Sequence, residues 1–61
     1  MELMTLEELC AFTKKRPTAT RRAVRERQLP QPIKVGGTNR WFRDEVEAAL
    51  EAMRAARDAQ S

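Results

Sequence analysis

The 61-residue sequence lacks several residue types on which enzymes depend. It contains no histidine and no tyrosine, and its single cysteine, Cys10, has no second thiol to pair with. It also lacks a glycine-rich phosphate-binding loop followed by lysine and serine. A chain of this length buries only about 60% of its unfolded surface, which leaves no room for both a core and an enclosed active site. We therefore expect one non-enzymatic domain over residues 1–61, with no metal and no cofactor.

Long apolar runs are absent as well, so no segment is expected to span a bilayer. The first five residues lack the basic and apolar regions of a secretion signal. The lone Cys10 offers no disulfide framework, which favours a reducing compartment, and we expect it to be a small buried side chain. No basic segment has the bulky apolar face of a membrane-surface helix. These features predict a cytoplasmic, nucleoid-associated protein without a membrane partner.

Charge, in contrast, is abundant and unevenly distributed. The net charge is +3. Residues 14–43 contain ten basic residues and one acid, Glu26, which gives +9, whereas residues 1–13 and residues 44–61 each sum to −3. A basic centre between acidic flanks fits a polyanion bound on one surface, and we expect double-stranded DNA. The alternative interpretation is a solvated basic face without a partner.

The first predicted helix begins at a strong cap. Thr5 and Glu8 have the spacing of a capping box, and Met4 with Leu9 fits a hydrophobic staple. We expect the helix to cover about residues 6–13. The side chains that recur at helical spacing, and so form its inward face, are Leu6, Leu9, Cys10 and Thr13.

The second predicted helix carries most of the basic residues. Pro17 suits the first helical position, and we expect the helix to end near Arg27 or Gln28. Its narrow inward stripe consists of Thr20, Ala23 and Val24. The DNA-reading face predicted on its other side consists of Thr18, Arg21, Arg22 and Arg25.

Arginine reads guanine with two hydrogen bonds in the major groove, but the sequence does not assign which arginine contacts a base and which a phosphate. Phosphate contacts are expected near the N-terminus of this helix, where the dipole helps, from Lys14, Lys15 and Arg16.

A β-hairpin is predicted to follow. The segment from Leu29 to Pro32 favours an extended corner, with Leu29 as its apolar anchor. We predict strands at 33–35 and 40–43, joined by a turn over 36–39 with two glycines. Trp41 is expected inward as a core anchor, together with Ile33 and Val35, rather than as a base-stacking residue, while Phe42 is not assigned to either face. The hairpin residues expected at the DNA, with Arg40 foremost, are Lys34, Gly36, Gly37, Thr38, Asn39 and Arg40.

The last predicted helix starts at Asp44, an N-cap that would form a second capping box with Glu47. Its apolar stripe runs through Val46, Ala49, Leu50 and Met53 and then fades. From about residue 55 the helix is rich in alanine, with high helix propensity and little to bury. We expect this tail to fray or to contact a partner.

Taken together, helix, helix, hairpin and helix form a winged helix-turn-helix, mostly α with a small β-hairpin. Four segments are similar to those of a known family. Met4–Cys10 is similar to a leucine-threonine-x-glutamate-glutamate start, and Thr18–Pro30 to a recognition helix with a glutamate-glycine-x-phenylalanine-proline exit. Pro32–Gly37 is similar to a proline-x-lysine-x-glycine-glycine wing, and Trp41–Leu50 to the last strand and closing helix. Through them the chain resembles the small AlpA-like and excisionase-like DNA-binding proteins, which have a MerR-type winged helix. It departs from the family pattern at Pro17, where a polar residue is usual, at Ala23, where a leucine is usual, and at Arg27-Gln28, where the family usually has a glycine.

The resemblance implies a protein of a phage, an integrated element or a plasmid. Excisionases of this family are recombination directionality factors that bind and bend attachment-site DNA, as adjacent copies, and promote excision by an integrase. The resemblance also allows a transcriptional regulator of the AlpA type, or both roles in one protein. A separate alternative is a protein-interaction module whose C-terminal helix binds an integrase, a polymerase or a second copy, while the basic face serves solubility.

Overall fold

The computed structural model describes residues 2–60. Within them the chain is mixed α/β, with three helices and a small antiparallel sheet of three strands in the order β1-β3-β2. The elements in chain order are β1 (Leu3–Met4), α1 (Leu6–Thr13), α2 (Pro17–Arg25), β2 (Ile33–Val35), β3 (Thr38–Phe42) and α3 (Arg43–Ala59).

Helix α1 has the predicted bounds and the predicted cap. The Thr5 hydroxyl accepts a hydrogen bond from the Glu8 N–H at 3.1 Å, and the Glu8 carboxylate accepts one from the Thr5 N–H at 2.9 Å. At the other end Lys14 adopts a left-handed conformation with φ of 56°. The N–H groups of Lys14 and Lys15 then bond back to the carbonyls of the last turn, which closes the helix with a Schellman-type cap.

Helix α2 starts at Pro17 as predicted but ends at Arg25, about two residues earlier than expected. Arg27 occupies a left-handed position with φ of 62°, where glycine is the usual residue. The Gln28 N–H bonds to the Ala23 carbonyl at 2.9 Å and the Arg27 N–H to the Val24 carbonyl at 3.1 Å. This pair of bonds is the Schellman motif, and it terminates the helix without a glycine.

Strand β1 is an element that the sequence patterns did not predict. It pairs with β3 in the register Leu3 opposite Phe42 and Met4 opposite Trp41, so the expected two-stranded hairpin is part of a three-stranded sheet. The Arg43 N–H extends this pairing by donating to the Glu2 carbonyl at 2.9 Å.

The same pairing changes the start of α3. The prediction that Asp44 caps this helix was wrong: α3 begins at Arg43 and follows β3 directly, without a side-chain cap. The Asp44 carboxylate accepts a hydrogen bond from the neighbouring Glu45 N–H instead. The predicted capping box fails because the sheet determines where the chain turns into the helix.

The hairpin turn contains only Gly36 and Gly37, with φ of 60° and 83°, so the predicted four-residue turn was too long. Positive φ at both central positions is the requirement of a type I′ turn, which matches the twist of the two strands. Strand β3 therefore begins at Thr38, and the strand predicted at 40–43 is displaced toward the turn. Arg43 belongs to α3.

The register also corrects the predicted face of β2. Trp41 is buried, with 4% of its surface exposed, but Ile33 and Val35 are 38% and 44% exposed. Ile33 lies opposite Arg40, and side chains alternate along a strand, so Ile33 and Val35 are on the face away from Trp41. Phe42, on that same outer face, is half-buried.

The core lies between the inner faces of α1 and α2, strands β1 and β3, and the first half of α3. Its buried apolar side chains are Met4, Leu9, Ala23, Leu29, Trp41 and Val46. The Trp41 indole N–H donates to the Pro30 carbonyl at 3.0 Å, which ties the corner after α2 to the sheet. Cys10 is only partly buried, and its thiol donates to the hydroxyl of the fully buried Thr20 at 3.3 Å.

Candidate nucleic-acid interface

The predicted reading face of α2 is one exposed surface. Because each residue advances about 100° around a helix, the four side chains Thr18, Arg21, Arg22 and Arg25 fall within an arc of about 100°. All four are exposed. The helix cannot rotate to hide them, because Thr20 and Ala23 are buried on the opposite side, at 0% and 3% exposure.

The three arginines of this face have different surroundings. Arg22 forms an ion pair with Glu26 one helical turn later, at 3.1 Å, with both side chains exposed. Within residues 2–60, the side chains of Arg21 and Arg25 have no hydrogen-bond or ion-pair partner. An exposed i,i+4 pair contributes only about 0.3–0.5 kcal/mol, but it orients the Arg22 guanidinium along the helix.

The residues predicted to contact phosphates lie together at the N-terminal end of α2. Lys14 and Lys15 form the link from α1, Arg16 precedes Pro17, and all three side chains are exposed. The Arg16 carbonyl accepts hydrogen bonds from the N–H and hydroxyl of Thr20, so the residue before the helix is held in place. Their ammonium and guanidinium groups add to the positive end of the helix dipole.

The hairpin presents a second group of predicted residues. Lys34, Asn39 and the Gly36-Gly37 turn are exposed, while Arg40 is half-buried. One Arg40 N–H donates to the Asn39 carbonyl at 2.9 Å, and the Thr38 hydroxyl donates to the Val35 carbonyl at 3.0 Å. These bonds hold the polar side chains of β3 close to the turn.

A half-open cleft of about 520 Å³ separates the hairpin from α2. Arg21 lines it from α2, and Arg40 lines it from β3, so the structure brings these two predicted cations to one site. The complete lining is Thr5, Leu6, Glu7, Arg21, Val24, Pro32, Thr38, Asn39, Arg40 and Trp41. The other predicted contacts on α2, including Arg22 and Arg25, lie outside the cleft.

Glu7 is the lining residue that sequence reasoning missed as part of the site. It is an exposed carboxylate in the first turn of α1 and the one acid in the described lining of the cleft. Local patterns assign it only to the helix terminus, where acids are common. Its proximity to Arg21 and Arg40 arises because three elements distant in sequence meet here.

Most of the basic residues in 14–43 have no acidic partner within the part of the chain that the structure describes. Of the ten, two form ion pairs with carboxylates within the described residues: Arg22, and Arg43, which contacts Glu2 at 3.6 Å and Glu47 at 3.4 Å. Arg43 also lies over the Phe12 ring, 5.4 Å from its centre, and so belongs to the packing around α1 and α3. The remaining eight cations, ten minus two, leave the positive field of α2 and the hairpin largely uncompensated.

No protein-family model, curated protein or solved structure matches this chain. Among residues 2–60 there is no helix with the length and apolar composition needed to cross a membrane. The same residues hold no group of three or more cysteine and carboxylate side chains that could bind a metal ion.

Proposed function

We propose that this chain is a sequence-specific double-stranded DNA-binding protein with a winged helix-turn-helix fold. In this proposal α2 is the recognition helix and the β2–β3 hairpin is the wing. The observation that carries it is the exposed face of Thr18, Arg21, Arg22 and Arg25 on a helix whose other side is fixed in the core. An α-helix with its side chains is about 10–12 Å wide, which fits a major groove about 12 Å wide.

The electrostatics support the same proposal. Eight cations that pair with no acid among residues 2–60 lie on α2, on the link before it, around its end and on the hairpin. Each phosphate that such a residue neutralises releases condensed counterions, which drives binding at low salt. If about six of them contact phosphates, affinity should fall by about three orders of magnitude between 50 and 200 mM salt.

For the biological role we infer an excisionase of a mobile element. The protein would bind and bend DNA at an attachment site and favour excision by a recombinase. The family resemblance supports this role, as does the size of the domain, because one helix and one hairpin cover little DNA and adjacent copies would be needed for a long site. A promoter-binding regulator of the AlpA type is the alternative, and an integrase gene beside the coding sequence would favour excision.

The decisive measurement is duplex affinity at several salt concentrations. A random-sequence 20-bp duplex should bind at low salt with a steep negative dependence of log K on log salt, about −0.9 for each phosphate contact. Arg25→Gln should weaken binding to a selected target, whereas Arg54→Gln, the same change on exposed α3, should not. Failure of the wild-type protein to bind any duplex at low salt would refute DNA binding.

A second candidate function is suggested by α3. Every residue from Glu51 to Gln60 is exposed, and Met53 is 40% exposed on the side that continues the core-facing stripe. This half of the helix is available to a protein partner such as a recombinase. If Met53→Gln leaves duplex affinity unchanged but abolishes stimulation of excision by added integrase, the protein has both surfaces.

A further inference from the structure

The cleft between α2 and the hairpin can be compared with the path of a DNA backbone strand. This inference rests on the proposed function, in which α2 occupies the major groove and the hairpin is the wing, and it takes the wing to reach the adjacent minor groove. The two grooves of a duplex are separated by one sugar–phosphate strand, so this strand has to pass between α2 and β3. A half-open cleft of about 520 Å³ lies between these two elements.

We propose that Arg21 and Arg40 together hold one backbone phosphate at this cleft, and that Arg25 is the arginine that reads a base. Arg21 and Arg40 line the cleft from its two sides. Two arginines that line one cleft from different elements match a phosphate, whose oxygens accept several charge-assisted hydrogen bonds. Asn39, which also lines the cleft, adds an amide donor.

Arg25 fits the reading role because of its place on the helix. With an advance of about 100° per residue, Arg25 and Thr18 lie in the middle of the exposed arc, and Arg21 and Arg22 lie at its two edges. Arg25 is outside the cleft, and its side chain has no partner among the described residues. Arg22 is paired with Glu26 at the far edge, away from the cleft.

Glu7 opposes the phosphate at the same site. Glu7 lines the cleft with Arg21 and Arg40, so a bound phosphate would meet one negative charge as well as two positive ones. Removing that charge should therefore strengthen binding to any duplex. Loss of folding cannot produce a gain in affinity, so Glu7→Gln tests the site independently of stability.

The experiment compares single variants of the full chain on two probes. One probe is a random 20-bp duplex pool, and the other is the duplex that the wild-type protein selects from that pool. Glu7→Gln is matched by Glu45→Gln, the same change in the first turn of α3, which lies outside the described lining of the cleft. Arg21→Gln, Arg40→Gln, their double variant and Arg25→Gln complete the set, each checked for folding by circular dichroism.

We expect Arg21→Gln and Arg40→Gln each to weaken binding to both probes by the same factor. Each should make the dependence of log K on log salt shallower by about 0.9, and each should leave the selected sequence unchanged. The double variant should lose less than the product of the two single losses, since one phosphate is shared. Glu7→Gln should raise the affinity for both probes, and Glu45→Gln should raise it less. Arg25→Gln should lower the affinity for the selected duplex by a factor at least about fivefold larger than its loss of affinity for the random pool.

Two results would overturn the assignment while leaving DNA binding intact. One is a changed base preference in Arg21→Gln with unchanged affinity for the random pool. The other is equal affinities for Glu7→Gln and Glu45→Gln. Absence of duplex binding by the wild-type protein would instead remove the proposed function, and the phosphate site with it.

Discussion

Trp41 is the residue whose replacement distinguishes a core anchor from a base-stacking platform. It is 4% exposed, and its indole N–H donates to the Pro30 carbonyl at 3.0 Å. Trp41 also lines the cleft beside α2, so a base-stacking role can be tested against the core role. Truncation to alanine would leave a cavity between β1, β3 and the corner after α2, and would remove the donor for that carbonyl.

The expected loss is large relative to the stability of the protein. A buried tryptophan truncated to alanine costs about 3–5 kcal/mol. A domain of 61 residues has a total stability of about 3–9 kcal/mol at 0.05–0.15 kcal/mol per residue. Trp41→Ala should therefore lose at least about a third of that stability, and it should be largely unfolded at 25 °C if the wild type lies in the lower half of the range.

Urea unfolding followed by far-ultraviolet circular dichroism measures this loss without relying on tryptophan fluorescence. Phe12→Ala is the matched control, because Phe12 is 36% exposed and should cost about 1 kcal/mol or less. A folded Trp41→Ala variant with near-native stability and lost duplex binding would refute the core role and establish stacking.

Three further changes test the local structure. Arg27→Gly should stabilise the protein by about 0.5–1 kcal/mol in urea unfolding, because a φ of 62° strains a residue with a Cβ. Glu26→Gly is the control and should destabilise the protein, since Glu26 has a negative φ. A loss of stability in Arg27→Gly would contradict the Schellman geometry. Thr5→Ala should lower stability by about 1 kcal/mol through loss of the capping box, and an unchanged urea midpoint would argue against it. Gly37→Ala should lower stability by about 1 kcal/mol through its φ of 83° alone, since an added Cβ meets nothing within 4 Å. It should also speed amide exchange in the hairpin, and unchanged exchange would exclude the type I′ turn.

Features set by neighbouring residues could be predicted from the sequence. The capping box of Thr5 and Glu8 joins residues three apart, Pro17 favours a helix start by its own fixed φ, and Gly36-Gly37 tolerates positive φ without help from the rest of the chain. The exposed basic face of α2 follows from the same local logic, because its residues and the buried Thr20 share one helical period. DNA binding by this face stays a prediction.

Features set by contacts between distant segments depended on the tertiary structure. The two residues of β1 are too short a segment to predict, and they become a strand because β3, nearly forty residues later, accepts them in register. That pairing places the start of α3 at Arg43 and, with the short turn, puts Ile33 and Val35 on the outer face. The cleft with Arg21, Arg40 and Glu7 likewise exists only where three elements meet. The sequence by itself determined which residues are basic and helical, since that depends on spacing along the chain. Which of them face one another was decided by sheet pairing and core packing, since those bring together residues that no local pattern connects.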